Sequence, residues 1–432
     1  MTAQPPRWDL TSWFDGFGAR FDRALDTIAA TLADLDARAD ALGPLTPDRA
    51  PEWEALLLAI EAVSTDLQHV SAYASARAAT DVTDEAAQAA TARIASLVAT
   101  TDGVEAPLVA ALGDVDDATF EALCARPALD EAQFWLRRWR ARAARSLGPA
   151  RERLAADLGV DGLHAWARLY RQVTSAMTFT LGDEEVPLAW LRGELHHPEP
   201  ARRAAALAGA GEALASRSTV LAAALNGIAG ARLTLDRHRG VADPLDEALF
   251  ESAMSRETLD AMMGVVTDHA ELARRYLRLK ARLHGVEALG WSDLRAPLSV
   301  EPQAPVEWAE ARETVMHAFG RHHRDLARFA DQMFAAGHVE AEPRAGKRPG
   351  AFCTRSFRAG ESRVYMSYTG FGSDVRTLAH ELGHAYHNHE MRDLRTWARQ
   401  YPMTLAETAS IVAETLVSDA QLDDPTATDA ER

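Results

Sequence analysis

The chain has 432 residues, 47% apolar and 25% charged, which is the profile of a globular protein with a sizeable core and excludes a disordered or collagenous chain. Its net charge of −17 makes it a poor polyanion binder, because phosphate affinity comes from Lys and Arg displacing counterions; neither nucleic acid nor a membrane surface is expected as a partner. Two cysteines, Cys124 and Cys353, exclude a disulfide framework and a four-cysteine zinc site, and a reducing, cytoplasmic location is expected.

In chain order, residues 1–8 lack the apolar run of a signal peptide. Phe14, Phe17, Phe21, Leu25 and Ile28 form a first stripe at helical spacing, and Trp53, Leu56, Leu57, Ile60 and Val63 a second. Further helices are predicted over 82–112, 130–157, 162–175, 200–233, 246–284 and 306–336. Their apolar stripes are read as core-facing sides and carry no function. The longest weakly polar stretch, 219–231, contains Asn226 and falls short of the ~20 residues that span a bilayer. A hairpin is predicted at 178–187 around Gly182 and Asp183, and residues 195–200 open the next helix. That break places a domain boundary near 190, dividing the chain into 1–190 and 191–432. A second non-helical patch runs from 342 to 368. Within it 351–357 and 363–368 alternate like strands, with 358–362 as their turn. The fold class expected is mainly α, with a small β-hairpin beside the helix that follows.

That helix carries His380, Glu381 and His384 in the pattern H-E-x-x-H. Residues four apart share a helix face with Cβ atoms ~5–6 Å apart, so two imidazoles converge on one metal ion. Zinc suits this donor set and supplies a nucleophile near neutral pH. Glu381 is placed as the general base, taking a proton from the attacking water and passing it to the leaving amine. A chance match is expected roughly 0.04 times in a chain of this composition, so the motif stands well above background.

A zinc site needs a third protein ligand. Position 390 is Glu, which excludes the H-x-x-G-x-x-H continuation of metzincins. Downstream, Glu407 and Glu414 are seven apart and share a helix face. Thr404 and Glu407 also match a capping box, but behind H-E-x-x-H the ligand reading is preferred for Glu407, with Glu414 orienting a ligand imidazole. His387 lies on the same face and is the competing third ligand; because the helix diverges from a single metal over seven residues, it is placed behind the ligands. His389 is expected to face solvent, and His196, His197, His322 and His323 to be surface residues.

The residues 350–353, 366–370, 374–384 and 401–410 together resemble the oligoendopeptidase F branch of the M3 zinc metallopeptidases. The opening 8–13, Leu225-Asn226-Gly227 and Arg239-Gly240 look like that family too, so the resemblance covers nearly the whole chain. It implies a multi-helical, clam-like gluzincin enclosing a channel that admits short peptides. Residues 1–190 would be its N-terminal oligopeptidase F-type region, and 191–432 the catalytic domain. His380, His384 and Glu407 match the zinc ligands, one Zn²⁺ per chain, and Glu381 matches the catalytic base. The hairpin matches an edge strand that pairs with an extended substrate, which makes Ala351, Phe352 and Cys353 the candidate substrate contacts. The family's chain continues beyond the third-ligand helix with His and Tyr residues that bind substrate and the oxyanion, whereas this sequence ends at Arg432 after an acidic tail, 423–432. Tyr365, Tyr368, Tyr386 and Tyr401 are substitute donors to consider, with core or rim packing the preferred role for each, and Tyr368 is also a candidate substrate contact. The expected function is zinc-dependent endopeptidase action on short oligopeptides. The alternative is a catalytically incompetent metal-binding helical protein that only captures peptides, and a weaker one is a structural helical protein whose motif is accidental.

Overall fold

A computed structural model describes residues 4–298 and 305–425; residues 1–3 and the last seven of the acidic tail lie outside it. The helical periodicities fold as helices α1 (Ala19–Ala41), α2 (Ala50–Thr80), α3 (Glu85–Asp114), α4 (Asp117–Cys124), α5 (Gln133–Ala143), α6 (Pro149–Asp161) and α7 (Leu163–Ala176). The hairpin β1 (Thr178–Leu181) and β2 (Glu184–Pro187) follows, then α8 (Leu191–Glu194), α9 (Pro200–Ser216), α10 (Ser218–Arg239), α11 (Pro244–Glu251), α12 (Arg256–Asp268) and α13 (Ala270–Leu283). The last third holds α14 (Trp308–His322), α15 (Arg324–Ala335), strands β3 (Val339–Glu340), β4 (Phe352–Ser356) and β5 (Glu361–Tyr365), and helices α16 (Gly372–Glu390) and α17 (Thr408–Leu422).

Four expected helices are broken. The 130–157 stretch divides at Gly148, whose φ of +87° only glycine adopts freely, with Pro149 starting α6. The 200–233 stretch divides at Arg217. The 246–284 stretch restarts at Ser255, whose side chain accepts from the Thr258 N–H. The 306–336 stretch restarts at His323, whose Nδ1 accepts the Leu326 N–H at 3.1 Å. The length reading at 219–231 is also corrected: α10 runs for 22 residues, and α10 and α3 are long and apolar enough to cross a membrane by length and composition alone.

The chain divides into two compact units, Met1–Asp161 with Leu235–Val241 and Val306–Ala420, and Gly162–Thr234 with Ala242–Pro305 and Gln421–Arg432. In the second, β1 and β2 pair antiparallel and lie so close on α9 that a Cβ at Gly209 would meet the Thr180 carbonyl at 2.4 Å. Arg203 is buried there, bonded to the His197 and Pro198 carbonyls and to Asp293.

In the first unit both predicted stripes reach the core: Phe21, Leu25 and Ile28 on α1, and Trp53, Leu56, Leu57, Ile60 and Val63 on α2, are buried. Phe14 and Phe17 precede α1 and join the same core by packing on Phe21 and Tyr73. The three-stranded sheet has the order β3-β5-β4, with β4 antiparallel and β3 parallel to β5. Strand β3, too short to show alternation, was not predicted. The second hairpin strand begins at Glu361, inside the predicted turn. The N-terminal segment binds this sheet: Asp9 N–H donates to the Gly337 carbonyl, Ala341 N–H to the Pro6 carbonyl, and buried Arg363 to the Asp9 carbonyl and Ser12 Oγ. Beneath the sheet, Leu378, Ala379, Leu382 and Ala385 of α16 share a core with Val364, Met366, Ala413 and Val417.

His69 on α2 is buried with Nδ1 2.7 Å from Ser356 Oγ, and burial, then the Arg358 charge, push its pKa down to about 4. The unfolded chain therefore binds this proton first. Stability is fully present above pH 6.5 and is lost as pH falls, by about 3 kcal/mol at pH 4 from this imidazole. Urea melts of His69→Asn are expected to show a shallower fall between pH 6.5 and 4 than the parent; equal slopes would refute it.

Candidate metal centre

The start of α16 is fixed by Asp374, whose Oδ2 accepts from Thr369 N–H at 2.7 Å, Thr369 Oγ1 at 2.8 Å and Phe371 N–H at 3.3 Å. Three turns of that helix then present His380, Glu381 and His384. The segment returning from α16 is anchored on α2, where the Glu61 carboxylate takes the Arg395 guanidinium and the Trp397 N–H. It delivers Glu407 just ahead of α17, whose Ile411 N–H donates to the Glu407 carbonyl. Helices α16 and α17 touch at Gly383: a Cβ there would meet Ser410 Cα at 2.7 Å and the Ala409 carbonyl oxygen at 2.8 Å.

His380 Nε2 lies 3.1 Å and His384 Nε2 3.4 Å from Glu407 Oε2, with the imidazole planes at 87°. Ligands about 2.0–2.1 Å from a tetrahedral zinc are about 3.3–3.4 Å apart, close to both imidazole–carboxylate spacings, and all three donor atoms lie within 4.8 Å of one another. Among the described residues this is the only group of three His, Cys, Asp or Glu donors drawn together in this way. Burial lowers the His384 pKa, keeping that imidazole in the neutral form that binds metal. Both rings have further partners. His380 Nδ1 faces Glu414 Oε2 at 3.4 Å, and a backbone hydrogen bond at Ala406 holds His384. Ser410 Oγ donates to Glu407 Oε2 at 2.9 Å. Because α17 starts at Thr408, Glu407 has no place as the third residue of a capped helix, and its carboxylate turns to the imidazoles instead.

Glu381 is 5% exposed and its Oε2 has no hydrogen-bond partner. Burial, then the Glu407 charge, push its pKa up to about 8 in the metal-free chain. Cys353 sits beside it, and burial, then the Glu381 charge, raise the thiol to about 12, so Cys353 is no nucleophile. Phe352 is half-buried, stacked 4.6 Å from the Tyr365 ring, and Ala351 continues the outer edge of β4.

His387 stays outside the donor group and stacks on Tyr401 at 4.7 Å. Two expectations need correction. Tyr368 is buried, its hydroxyl donating to the Val306 carbonyl at 2.7 Å and its ring packed on Trp308, so it has nothing to offer a peptide. The Tyr365 hydroxyl is likewise spent on the Ala79 and Arg348 carbonyls. His389 packs on Phe329 at 4.7 Å rather than facing solvent. Sequence reasoning missed Gly383, Ser410, Asn388 and Arg355; the glycine one residue before the second histidine was the available signal for the helix contact.

Glu407→Ala is expected to weaken zinc binding by more than the roughly 10–100-fold typical of losing an outer partner, and Glu414→Gln to fall within that range. Competition with a chelating dye measures both; equal affinities for the two variants would remove Glu407 from the ligand set.

Residues 112–179 match the oligopeptidase F family model and residues 314–432 the model for peptidase family M3. An oligoendopeptidase F homolog of Lactococcus lactis subsp. lactis is 27% identical over 178 residues, 40% of this chain and 29% of that protein. Oligopeptidase PepF of Bacillus subtilis is 22% identical over 175 residues, 40% of this chain and 26% of the relative. The chain thus aligns with less than a third of the length of these curated relatives. The fold of oligoendopeptidase-F from Enterococcus faecium superposes with a TM-score of 0.65 at 19% identity, covering 95% of this chain and 68% of that one. Residues 112–179 and 314–432 are thus similar, in chain order, to the N-terminal and peptidase regions of oligoendopeptidase F-like M3 peptidases, and the fold is that of such structures along nearly the whole length.

Proposed function

We propose that this chain is a zinc-dependent metalloendopeptidase that hydrolyses internal bonds of short oligopeptides. The observation that carries the reading is the meeting of His380 Nε2, His384 Nε2 and Glu407 Oε2 beside the buried carboxylate of Glu381. Bound there, zinc supplies Lewis-acid polarisation of the scissile carbonyl and a water nucleophile at neutral pH. Glu381 takes the proton of the attacking water and hands it to the leaving amine. Its unpartnered Oε2 is free for the proton.

Strand β4 orients the peptide by lending its outer backbone edge, which gives affinity with little dependence on side chains. Part of that edge is already taken: the Gln68 amide on α2 donates to the Arg355 carbonyl and accepts the Phe357 N–H. The edge left for a peptide is therefore the Ala351–Thr354 end. Two free cysteines favour a reducing, cytoplasmic setting, and residues 1–190 and 191–432 serve as the N-terminal and catalytic regions in this reading.

The test is cleavage of a quenched fluorescent peptide library by the purified chain, with zinc and with chelator. Chelator-sensitive cleavage within the peptides supports the reading. A folded, zinc-loaded chain that leaves every peptide intact would overturn it in favour of a metal-binding protein that only captures peptides.

A further inference from the structure

Arg355 is half-buried on β4 and has no carboxylate partner among the described residues. Its Nη1 donates instead to two neutral oxygens from separate elements. One is Asn388 Oδ1, at 2.7 Å, on the last turn of α16. The other is the Tyr401 phenol, at 3.0 Å, on the segment that delivers Glu407. The guanidinium also lies 5.0 Å from the Tyr401 ring centroid and 4.7 Å from that of Phe357. Tyr401 in turn is stacked on His387, one turn beyond His384. Asn388 completes the linkage by donating from Nδ2 to Ser362 Oγ on β5 at 3.3 Å.

One planar cation therefore joins the three pieces that must be in register for the reaction: the edge strand, the helix bearing His380, Glu381 and His384, and the segment bearing Glu407. We propose that Arg355 is a positioning residue that sets Glu407 and the β4 edge against the histidine pair of α16. The chemistry is specific to arginine. A guanidinium is flat and rigid, so it stacks on Tyr401 and Phe357 while bonding both oxygens in one geometry. An ammonium keeps the charge and can donate to both oxygens, but it lacks the plane that packs against the two rings. The bonds to two neutral acceptors give the cation no ion-pair role, which separates it from the protein's surface arginine–carboxylate pairs. Misplacement of a catalytic group by about 1 Å costs on the order of 10²-fold in rate.

This inference rests on the zinc-peptidase reading above, and the experiment separates the two. Arg355→Lys, Tyr401→Phe and, as a control, Arg126→Lys are compared with the parent chain. Arg126 pairs with Glu54 among the N-terminal helices of the same unit. The readouts are zinc affinity by chelator competition, thermal midpoint, and kcat and KM on one peptide. Arg355→Lys is expected to weaken zinc about 10–100-fold, as loss of an outer partner does, and to lower kcat at least tenfold with KM within threefold. Tyr401→Phe, which deletes only the phenol oxygen, is expected to weaken zinc several-fold. Arg126→Lys is expected to lower the midpoint and leave zinc affinity unchanged. Zinc affinity of Arg355→Lys within twofold of the parent would overturn the proposal. If that variant does not fold, unchanged affinity in Tyr401→Phe overturns it equally. A parent chain that binds zinc but cleaves nothing defeats the peptidase reading alone, because the affinity comparison still decides the role of Arg355.

Discussion

Glu381→Gln is expected to bind one zinc per chain with the parent's affinity and to lose peptide hydrolysis by roughly 10²–10⁴-fold, the usual worth of a positioned acid–base group. The two halves of that result have separate causes. Zinc affinity survives because Glu381 is not among the three converging donors, and because a carboxamide keeps the volume of a side chain only 5% exposed. Hydrolysis fails because an amide oxygen does not accept and return a proton near neutral pH. Alanine is the poorer choice, since it opens a cavity beneath the histidine pair and mixes a packing loss with the chemical one. Metal content and steady-state rates on one peptide decide the matter. Hydrolysis within tenfold of the parent would remove Glu381 as the base, and loss of zinc would return it to the ligand set.

Gly383→Ala is expected to destabilise the chain and to strip its metal. Helix propensity argues the other way, since alanine gains about 1 kcal/mol over glycine inside a helix. Packing decides it. The added Cβ would stand 2.7 Å from Ser410 Cα, 2.8 Å from the Ala409 carbonyl oxygen and 2.8 Å from Ala413 Cβ. Two of those three atoms are backbone and do not rotate away, so α16 and α17 must part. Overpacking of this kind costs about 1–3 kcal/mol. Separation also carries Glu407, one residue ahead of α17, away from imidazoles fixed in α16. Zinc sites tolerate ligand shifts of only about 0.2 Å, so affinity is expected to fall at least 100-fold. Urea denaturation and zinc titration test both effects, and a variant as stable and as metal-avid as the parent would show that the helices slide past each other freely.

Periodicity in the sequence reveals the buried stripes of α1 and α2, because a helix face repeats within a few residues. It hides the break at His323, because an imidazole accepting the Leu326 N–H is not among the usual caps. The metal pair was legible for the same local reason: positions 380 and 384 are one turn apart. Glu414 faces His380 Nδ1 at 3.4 Å, and Glu407 precedes the helix instead of sharing it. What stayed hidden depends on distance along the chain. Tyr368 is committed to a carbonyl 62 residues away, and Arg355 to partners 33 and 46 residues away; no spacing rule connects them.

The attachment of residues 6–13 to the sheet has a consequence for biosynthesis. These residues leave the ribosome some 330 residues ahead of the strands they hold, β3 to β5. At about 5–20 residues per second the delay is roughly 15–70 s. During that interval Trp8 and Trp13 wait without their partners Phe352, Tyr365 and Arg363. Closure of the strand layer over α16 is thus a late event in the life of the nascent polypeptide. A bulky insertion directly ahead of Pro6 would be expected to disturb the β3–β5 layer first, and α16 only through it.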